Sequence, residues 1–367
     1  MKRISFLLPS LVGVPVGGYK VIYEYANRLV RDGFTVDIVY RFWSLPRTGK
    51  SARKLVVGMR NLLRTSYHLL RGWHRRCPWF ELDPRIHIRM AWSLAESHVP
   101  PADIYVVSDA TTARCLDAYQ RISPNNKFYL VQGFETWAMG EAQLRETYGY
   151  ALRKIAVSGW LKAAVEQGGD AAVLIPNGFN FAYFQRTIPA RERNSGCIAM
   201  QYHASPGKGV DVGFKALALA REAFPQMEVL LFGTGPTPRH LPEGGRYVRR
   251  PDREQLNRIY NEAAIFLGTS FQEGWGLPVG EAMACGAAVV CTDNGGYAEM
   301  AKDRQTALVV PVGDARAMAE KIVELMADGD LRARIADAGY DFIRQFTWDR
   351  SCHLLEQELA NTQIVAD

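Results

Sequence analysis

The chain has 367 residues, 48% of them hydrophobic and 22% charged, with a formal net charge of +6. This composition describes a soluble globular protein too long for one core, so two α/β domains are the natural division. No apolar run approaches the roughly 18 residues that a membrane span needs, and six dispersed cysteines without a Cys-x-x-Cys pair read as a reduced, cytosolic protein without a zinc cluster.

The first predicted element is a strand at Ile4–Leu8. Lys2-Arg3 before it imitates the start of a signal peptide, but Pro9 cuts the run short and no small-residue cleavage site follows. A glycine-rich turn over Gly13–Gly18, a helix over Tyr19–Arg31 and a second strand at Val36–Tyr40 come next. Between Asp37 and Glu81 stand ten Lys or Arg residues (41, 47, 50, 53, 54, 60, 64, 71, 75 and 76) and no acid. The whole chain is only +6, so the remainder sums to −4. Leu55, Met59, Leu62, Leu63, Leu69, Leu70 and Trp73 recur near helical spacing within this stretch, with Trp43, Tyr67, Trp79 and Phe80 nearby. That pattern predicts contact of 41–76 with an anionic membrane surface; the plainer reading is a helix packed on its domain with a solvated basic edge. No nucleic-acid recognition motif accompanies the charge, so no nucleic-acid partner is expected.

Further strands are predicted at Ile104–Val107, Phe128–Gln132 and Ile155–Val157, each followed by a helical pattern. Alternating strands and helices imply a doubly wound parallel sheet that binds ligands at the carboxyl ends of its strands. Asn180–Ser195 is polar and contains Pro189, which reads as a linker. The pattern then restarts at Cys197–Gln201, Val229–Phe232, Ile265–Thr269, Ala287–Thr292 and Ala307–Val310, and closes with helices from Ala315 onward.

The most informative stretch runs from Ser270 to Gly286. It sets Glu273 and Glu281 eight positions apart around a glycine turn, Gly274 and Gly276, that opens a helix with Pro278 in its first turn. Strand, glycine turn and helix start aim unpaired N–H groups at one point, where a phosphate or diphosphate would sit. A carboxylate beside phosphate is not there to hold it, so the two glutamates are read as acceptors for sugar hydroxyls. Diphosphate plus hydroxyls describes a nucleotide sugar.

This segment resembles the Glu-x7-Glu motif of retaining glycosyltransferases of the GT-B type, in the glycogen-synthase-like family 4 group that includes rhamnan and other polysaccharide transferases. The flanks agree in order: Gly207-Lys-Gly209, Leu231-Phe-Gly-Thr-Gly-Pro236, Leu256-Asn-Arg-Ile-Tyr260, Thr292-Asp-Asn-Gly-Gly296 with Glu299, Val310-Pro-Val-Gly-Asp314 and Phe346-Thr-Trp-Asp349. The likeness is strong over roughly the C-terminal half and weaker before it. It implies two Rossmann-like domains facing a cleft: residues 1–180, joined by a crossing helix at about 347–367, would bind acceptor, and residues 190–346 would bind the donor.

By the same resemblance Lys208 pairs with the diphosphate, Glu273 contacts the donor sugar and Glu281 accepts from the ribose. Gly235 and the backbone at Gly274, Trp275 and Gly276 hold the donor, while the Trp275 side chain reads equally as packing. The family usually carries an arginine five residues before the lysine; here His203 stands there. Gly17 and Gly18 resemble the family's glycine loop. Gln132 and Glu135 replace the usual histidine at the end of the fourth strand and are assigned to the acceptor side. Asn177-Gly178 matches the family's Pro-Asn-Gly at the domain junction.

The implied reaction moves a hexosyl group to a saccharide, such as a polyprenyl-linked glycan, in polysaccharide biosynthesis. The leaving phosphate takes the acceptor proton, so no enzymic nucleophile is needed. Asp328-Gly-Asp330 is read as a solvated turn, and no metal or other cofactor is expected. The expected location is cytoplasmic, peripheral on the inner membrane face. Two rivals share the motif: a GT-B nucleotide-sugar epimerase, and a nucleotide-sugar binding or scaffold protein without turnover, which the absent arginine and histidine favour.

Overall fold

The computed structural model describes residues 2–42, 59, 62–63, 65–67, 70–72, 77–360 and 362. Two compact units emerge, one of Met1–Pro176 with Asp349–Asp367, the other of Asn177–Trp348. Most of the basic stretch at 41–76 lies outside the described residues. Among those described, no helix is long and apolar enough to cross a membrane.

The first unit holds seven parallel strands: β1 (Arg3–Leu8), β2 (Thr35–Arg41), β3 (His87–Ala91), β4 (Ile104–Val107), β5 (Lys127–Val131), β6 (Arg153–Ala156) and β7 (Ala172–Leu174). Their order is β3-β2-β1-β4-β5-β6-β7. Helices α1 (Gly17–Arg31), α2 (Ala110–Asp117), α3 (Glu141–Tyr148) and α4 (Gly159–Glu166) connect them. The second unit has six parallel strands, β8 (Cys197–Gln201), β9 (Glu228–Gly233), β10 (Gly245–Arg249), β11 (Ile265–Gly268), β12 (Ala288–Thr292) and β13 (Leu308–Val310), in the order β10-β9-β8-β11-β12-β13. Its helices are α5 (Val210–Ala223), α6 (Arg253–Glu262), α7 (Leu277–Ala284), α8 (Ala315–Ala327) and α9 (Gly329–Ile343). The last helix, α10 (Trp348–Ala360), packs on the first unit, where Ser351 Oγ donates to the Pro176 carbonyl at 2.6 Å and Arg28 Nε to Asp349 at 2.9 Å.

Central strands such as β1 and β11 are apolar runs because helices cover both faces of a parallel sheet. Three strands escaped the sequence reading, namely β3, β7 and β10, and all three lie at sheet edges. There half the residues stay in solvent, as β3 illustrates with exposed His87 and Arg89 at two-fifths to half of their side-chain surface, so no apolar run marks them. Aspartates begin four of the helices: Asp109 at α2, Asp252 in a capping box at α6, Asp314 at α8 and Asp328 at α9.

Each sheet reverses direction once, between β1 and β4 in the first and between β8 and β11 in the second. Open parallel sheets leave a crevice at the carboxyl ends of such a strand pair.

The stretch read as a linker, 180–195, instead packs within the second unit. Its anchor is Arg193, only 6% exposed, whose guanidinium donates to the carbonyls of Tyr260 (2.9 Å), Ala263 (2.8 Å), Ile188 (2.9 Å) and Cys285. The carbonyls of Tyr260, Ala263 and Cys285 belong to the ends of α6 and α7, and that of Ile188 to the segment itself, so one side chain satisfies orphan helix acceptors that polar composition alone did not reveal. Burial lowers its pKa to about 10, still charged at neutral pH. Arg193→Met should therefore destabilise the fold by about 3 kcal/mol or more, because several buried carbonyls lose a charged donor together; denaturant unfolding at pH 7 measures it.

Candidate functional site

Loops at the carboxyl ends of β8 and β11 carry the residues singled out in the second unit. Lys208 ends a single 3-10 turn, Pro206–Lys208, and Gly209 follows in the left-handed region with φ 60°. That backbone lies so close to the chain after β11 that a Cβ on Gly209 would meet the Thr269 carbonyl oxygen at 2.0 Å. Thr269 Oγ1 donates to the Lys208 carbonyl at 2.7 Å, and Phe271 N to the Gly207 carbonyl at 2.8 Å. The two loops are thus tied together along their backbones. Their side chains meet as a result: Lys208 Nζ lies 2.6 Å from Glu273 Oε1, to which Ser270 Oγ also donates at 2.7 Å. Lys208 keeps a third of its side chain in solvent and Glu273 a sixth.

His203, at the end of β8, accepts at Nδ1 from Ser205 N at 3.0 Å. Burial, then the neighbouring Lys208 charge, lower its pKa, with Glu273 opposing. The imidazole is neutral at pH 7 and does not supply the positive charge of the arginine it replaces.

Gly276 caps α7 with φ 98°, under the Tyr297 ring, where a Cβ would come within 2.4 Å. The loop Thr292–Gly296 buttresses Glu273 from behind. Thr292 Oγ1 donates to the Ser270 carbonyl at 2.6 Å, Asn294 Nδ2 to the same oxygen at 3.1 Å, and Glu273 forms a parallel bridge with Gly295. These motif residues resembled the family pattern, but nothing in the sequence said that they would set the backbone of Glu273.

Glu281 is the fifth residue of α7, past its first turn, where the helix dipole contributes little. It is 5% exposed and accepts from the Tyr260 hydroxyl at 3.0 Å. Tyr260, on α6, was quoted in the motif without a role. Gly274 is buried, and Gly235 has open space around it while its carbonyl accepts from Tyr247 at 2.9 Å.

The even reading of the Trp275 side chain resolves toward packing, and the expected Gly17-Gly18 loop needs correction. The Trp275 side chain is 3% exposed and packs against Phe179 (centroids 6.3 Å apart) and Phe346 (5.2 Å), so its indole is committed to packing and only its backbone remains for a ligand. Gly17 and Gly18 are not a loop but the first turn of α1, because the helix starts two residues earlier than the apolar stripe suggested. Gly18 still approaches another strand end: Gln132 Nε2 donates to its carbonyl at 3.1 Å. Glu135 accepts from Ala110 N at 2.7 Å, beside Asp109. The first unit therefore gathers Gly18, Asp109, Gln132 and Glu135 at the carboxyl edge of β1, β4 and β5. Asp109 was missed; as an N-cap followed by two threonines it resembles any helix start.

Asp328 Oδ1 caps α9 through Leu331 N at 2.8 Å, and Asp330 pairs with Arg191 at 2.5 Å. Both carboxylates of the Asp-x-Asp turn are engaged in local structure.

Residues 194–328 match the family model described as glycosyl transferases group 1. Phosphatidyl-myo-inositol mannosyltransferase of Mycobacterium leprae is 25% identical over 224 residues, 58% of this chain and 60% of that protein. The chain thus aligns with less than two thirds of that relative's length. Among solved structures, sucrose-phosphate synthase of Thermosynechococcus elongatus superposes with a TM-score of 0.71 at 18% identity over 97% of this chain and 98% of that one. HepE of Anabaena in complex with UDP-glucose does so with 0.71 at 16%, over 98% and 100%. The fold is GT-B: two Rossmann-like units, each with a parallel sheet.

Gly209→Ala should cost at least about 2 kcal/mol, from the left-handed backbone and the clash with Thr269. Gly235→Ala, which meets nothing within 4 Å, should change stability by less than about 0.5 kcal/mol. Urea unfolding of the two variants side by side checks both.

Proposed function

We propose that this chain is a retaining, metal-independent hexosyltransferase that takes a nucleotide-diphosphate sugar as donor and a saccharide, such as a lipid-linked glycan, as acceptor. One observation carries the reading: Lys208 and Glu273 meet at 2.6 Å at the switch point of the second sheet, with Glu281 one helix entry further on. The match of this region to glycosyl transferases group 1 supports it, as do a relative described as a mannosyltransferase and a neighbour crystallised with UDP-glucose.

The chemistry follows from these groups. A departing nucleoside diphosphate gathers negative charge on its bridging oxygen, and Lys208 is the cation placed to stabilise it. When a donor enters, its diphosphate takes over the ammonium group and Glu273 is released to accept from sugar hydroxyls. The ion pair keeps partial contact with solvent, so a diphosphate can replace Glu273 as the partner of the ammonium group. His203, neutral, offers a hydrogen bond to the same phosphates. Glu281, kept in place by Tyr260, accepts from the ribose. The acceptor proton passes to the leaving phosphate, which removes the need for an enzymic base. Gly17, Gly18, Gln132 and Glu135 serve the acceptor.

Acceptor delivery brings in the basic stretch. Its described residues Met59, Leu63, Tyr67 and Leu70 are exposed at 53%, 67%, 49% and 89%, and their spacing puts them on one helical face. With ten cations and no acid between Asp37 and Glu81, that face suits the surface of an anionic bilayer, and the proposed location is cytoplasmic, peripheral on the inner membrane.

UDP or GDP at about a hundred times its Kd should stabilise the protein by about 2.7 kcal/mol, and Glu281→Ala should weaken that stabilisation. Lys208→Ala should lower turnover about 10²–10³-fold, while a chelator leaves turnover unchanged. A null thermal shift with every nucleoside diphosphate, or activity restored only by manganese, would contradict the reading. Vesicles containing phosphatidylglycerol should co-sediment the protein at low salt and release it at 0.5 M salt; absence of low-salt binding removes the membrane contact.

A further inference from the structure

Oε1 of Glu273 accepts from two donors of different character. The Lys208 ammonium lies 2.6 Å away, on a side chain with a third of its surface in solvent. The Ser270 hydroxyl lies 2.7 Å away, on a residue only 4% exposed. The chemistry proposed above uses the first donor and leaves the second without a task.

Ser270 is held more firmly than a place in a loop requires. Its carbonyl accepts from Thr292 Oγ1 at 2.6 Å and from Asn294 Nδ2 at 3.1 Å. On one side Thr269 Oγ1 donates to the Lys208 carbonyl at 2.7 Å, and on the other Phe271 N donates to the Gly207 carbonyl at 2.8 Å. Successive residues are thus tied to the loops after β8 and β12, and the buried Tyr297 phenol interacts with the Ser270 hydroxyl itself. The backbone of Glu273 is fixed as well, by its bridge to Gly295. What is left to move is the long side chain of the glutamate, and the serine hydroxyl restrains it.

We propose that Ser270 is the positioning residue for the donor sugar: its hydroxyl keeps Glu273 Oε1 in place when the Lys208 ammonium passes to the donor diphosphate, so that the carboxylate meets the sugar hydroxyls already oriented. The inference rests on the transferase reading above.

Charge decides which donor leaves. An entering diphosphate attracts the ammonium and has no such pull on a neutral hydroxyl, so the two bonds to Oε1 part company on binding. The serine O–H then still faces an ionised acceptor, which makes its bond one of the stronger kinds. Without it the carboxylate would follow the lysine or sample the rotamers of a long side chain. Immobilising such a side chain on binding costs a factor of about two to ten in affinity. Glu281 has the same provision, because the buried Tyr260 hydroxyl donates to its Oε2 at 3.0 Å. Each glutamate of the motif therefore keeps one oxygen on a buried hydroxyl of the chain. A serine that only closed the turn to Glu273 would make the same hydrogen bond, but its loss would act on folding and not on the sugar.

Isothermal titration of the full chain with UDP, GDP, UDP-glucose, UDP-N-acetylglucosamine and GDP-mannose gives, for each donor, the ratio of nucleotide-sugar to nucleotide affinity. Glu273→Ala should lower that ratio and sets its floor. Ser270→Ala should leave nucleotide affinity within about twofold and lower the ratio about two- to tenfold. The double variant should go no lower than Glu273→Ala alone, since the serine acts only through the carboxylate. Lys208→Met should do the reverse, weakening nucleotide binding about tenfold or more while the ratio holds. The proposal is overturned by a ratio that Glu273→Ala or Ser270→Ala leaves unchanged, by equal weakening of nucleotide and nucleotide sugar in Ser270→Ala, by a double variant that sums the two losses, or by a ratio that collapses with Lys208→Met. A wild type that binds none of the five ligands is a different result: it overturns the transferase reading, and this inference with it.

Discussion

The second unit depends on backbone segments that approach closer than any side chain permits. Gly209 lies against the Thr269 carbonyl, Gly276 under the Tyr297 ring, and Gly296 against the Glu273 carbonyl, where a Cβ would come within 2.4 Å. The first contact joins the loops after β8 and β11, and the other two join the loops after β11 and β12. Together they fix the backbones of Lys208 and Glu273 before any side-chain interaction is counted. The 2.6 Å ion pair is then a consequence of the glycines rather than what holds the loops together. One ion pair still in partial contact with solvent is a small term beside three backbone contacts that no side chain permits.

The two glutamates of the motif sit in opposite settings. Glu273 faces a cation and a serine hydroxyl, keeps contact with solvent, and can change partners. Glu281 is buried, held by a tyrosine that is itself enclosed by Phe184, Phe232 and Phe266. A group whose position is fixed by a buried phenol suits a part of the ligand that does not move, as the proposed ribose contact requires. Trp275, between them in sequence, packs on Phe179 and Phe346 beside the unit's boundary and anchors the loop at its base.

The central strands were legible because burial on both faces writes them as apolar runs, and the second sheet was readable nearly strand by strand. Edge strands β3, β7 and β10 were not, since solvent on one side admits polar residues. Lys208, Glu273 and Glu281 could be found because their spacing and glycine context form a long mixed pattern. Residues acting through the backbone of others, such as Asn294 and Thr292, carry no chemical signal beyond being polar. The role of Arg193 was hidden for another reason: its four carbonyl partners come from segments 5 to 92 positions away in the chain. No local pattern encodes such a set. Asp109 looked like an ordinary helix cap, and only the arrival of Glu135 from the next strand makes it more.

Both sheets place acids at their reversal points, yet the electrostatics differ in kind. The second sheet sets a lysine against a partly buried carboxylate, the pair that the proposed donor diphosphate would part. In the first, the described groups at the carboxyl edge are Gly18, Gln132, Asp109 and Glu135, and Arg41, at the end of β2, is directed to the Pro9 carbonyl. Asp109 is absorbed by four donors at the start of α2, and Glu135 accepts from the same helix end. The two sheets thus reverse alike and hold their acids differently, one against a lysine side chain and the other against the N–H and hydroxyl groups of a helix start.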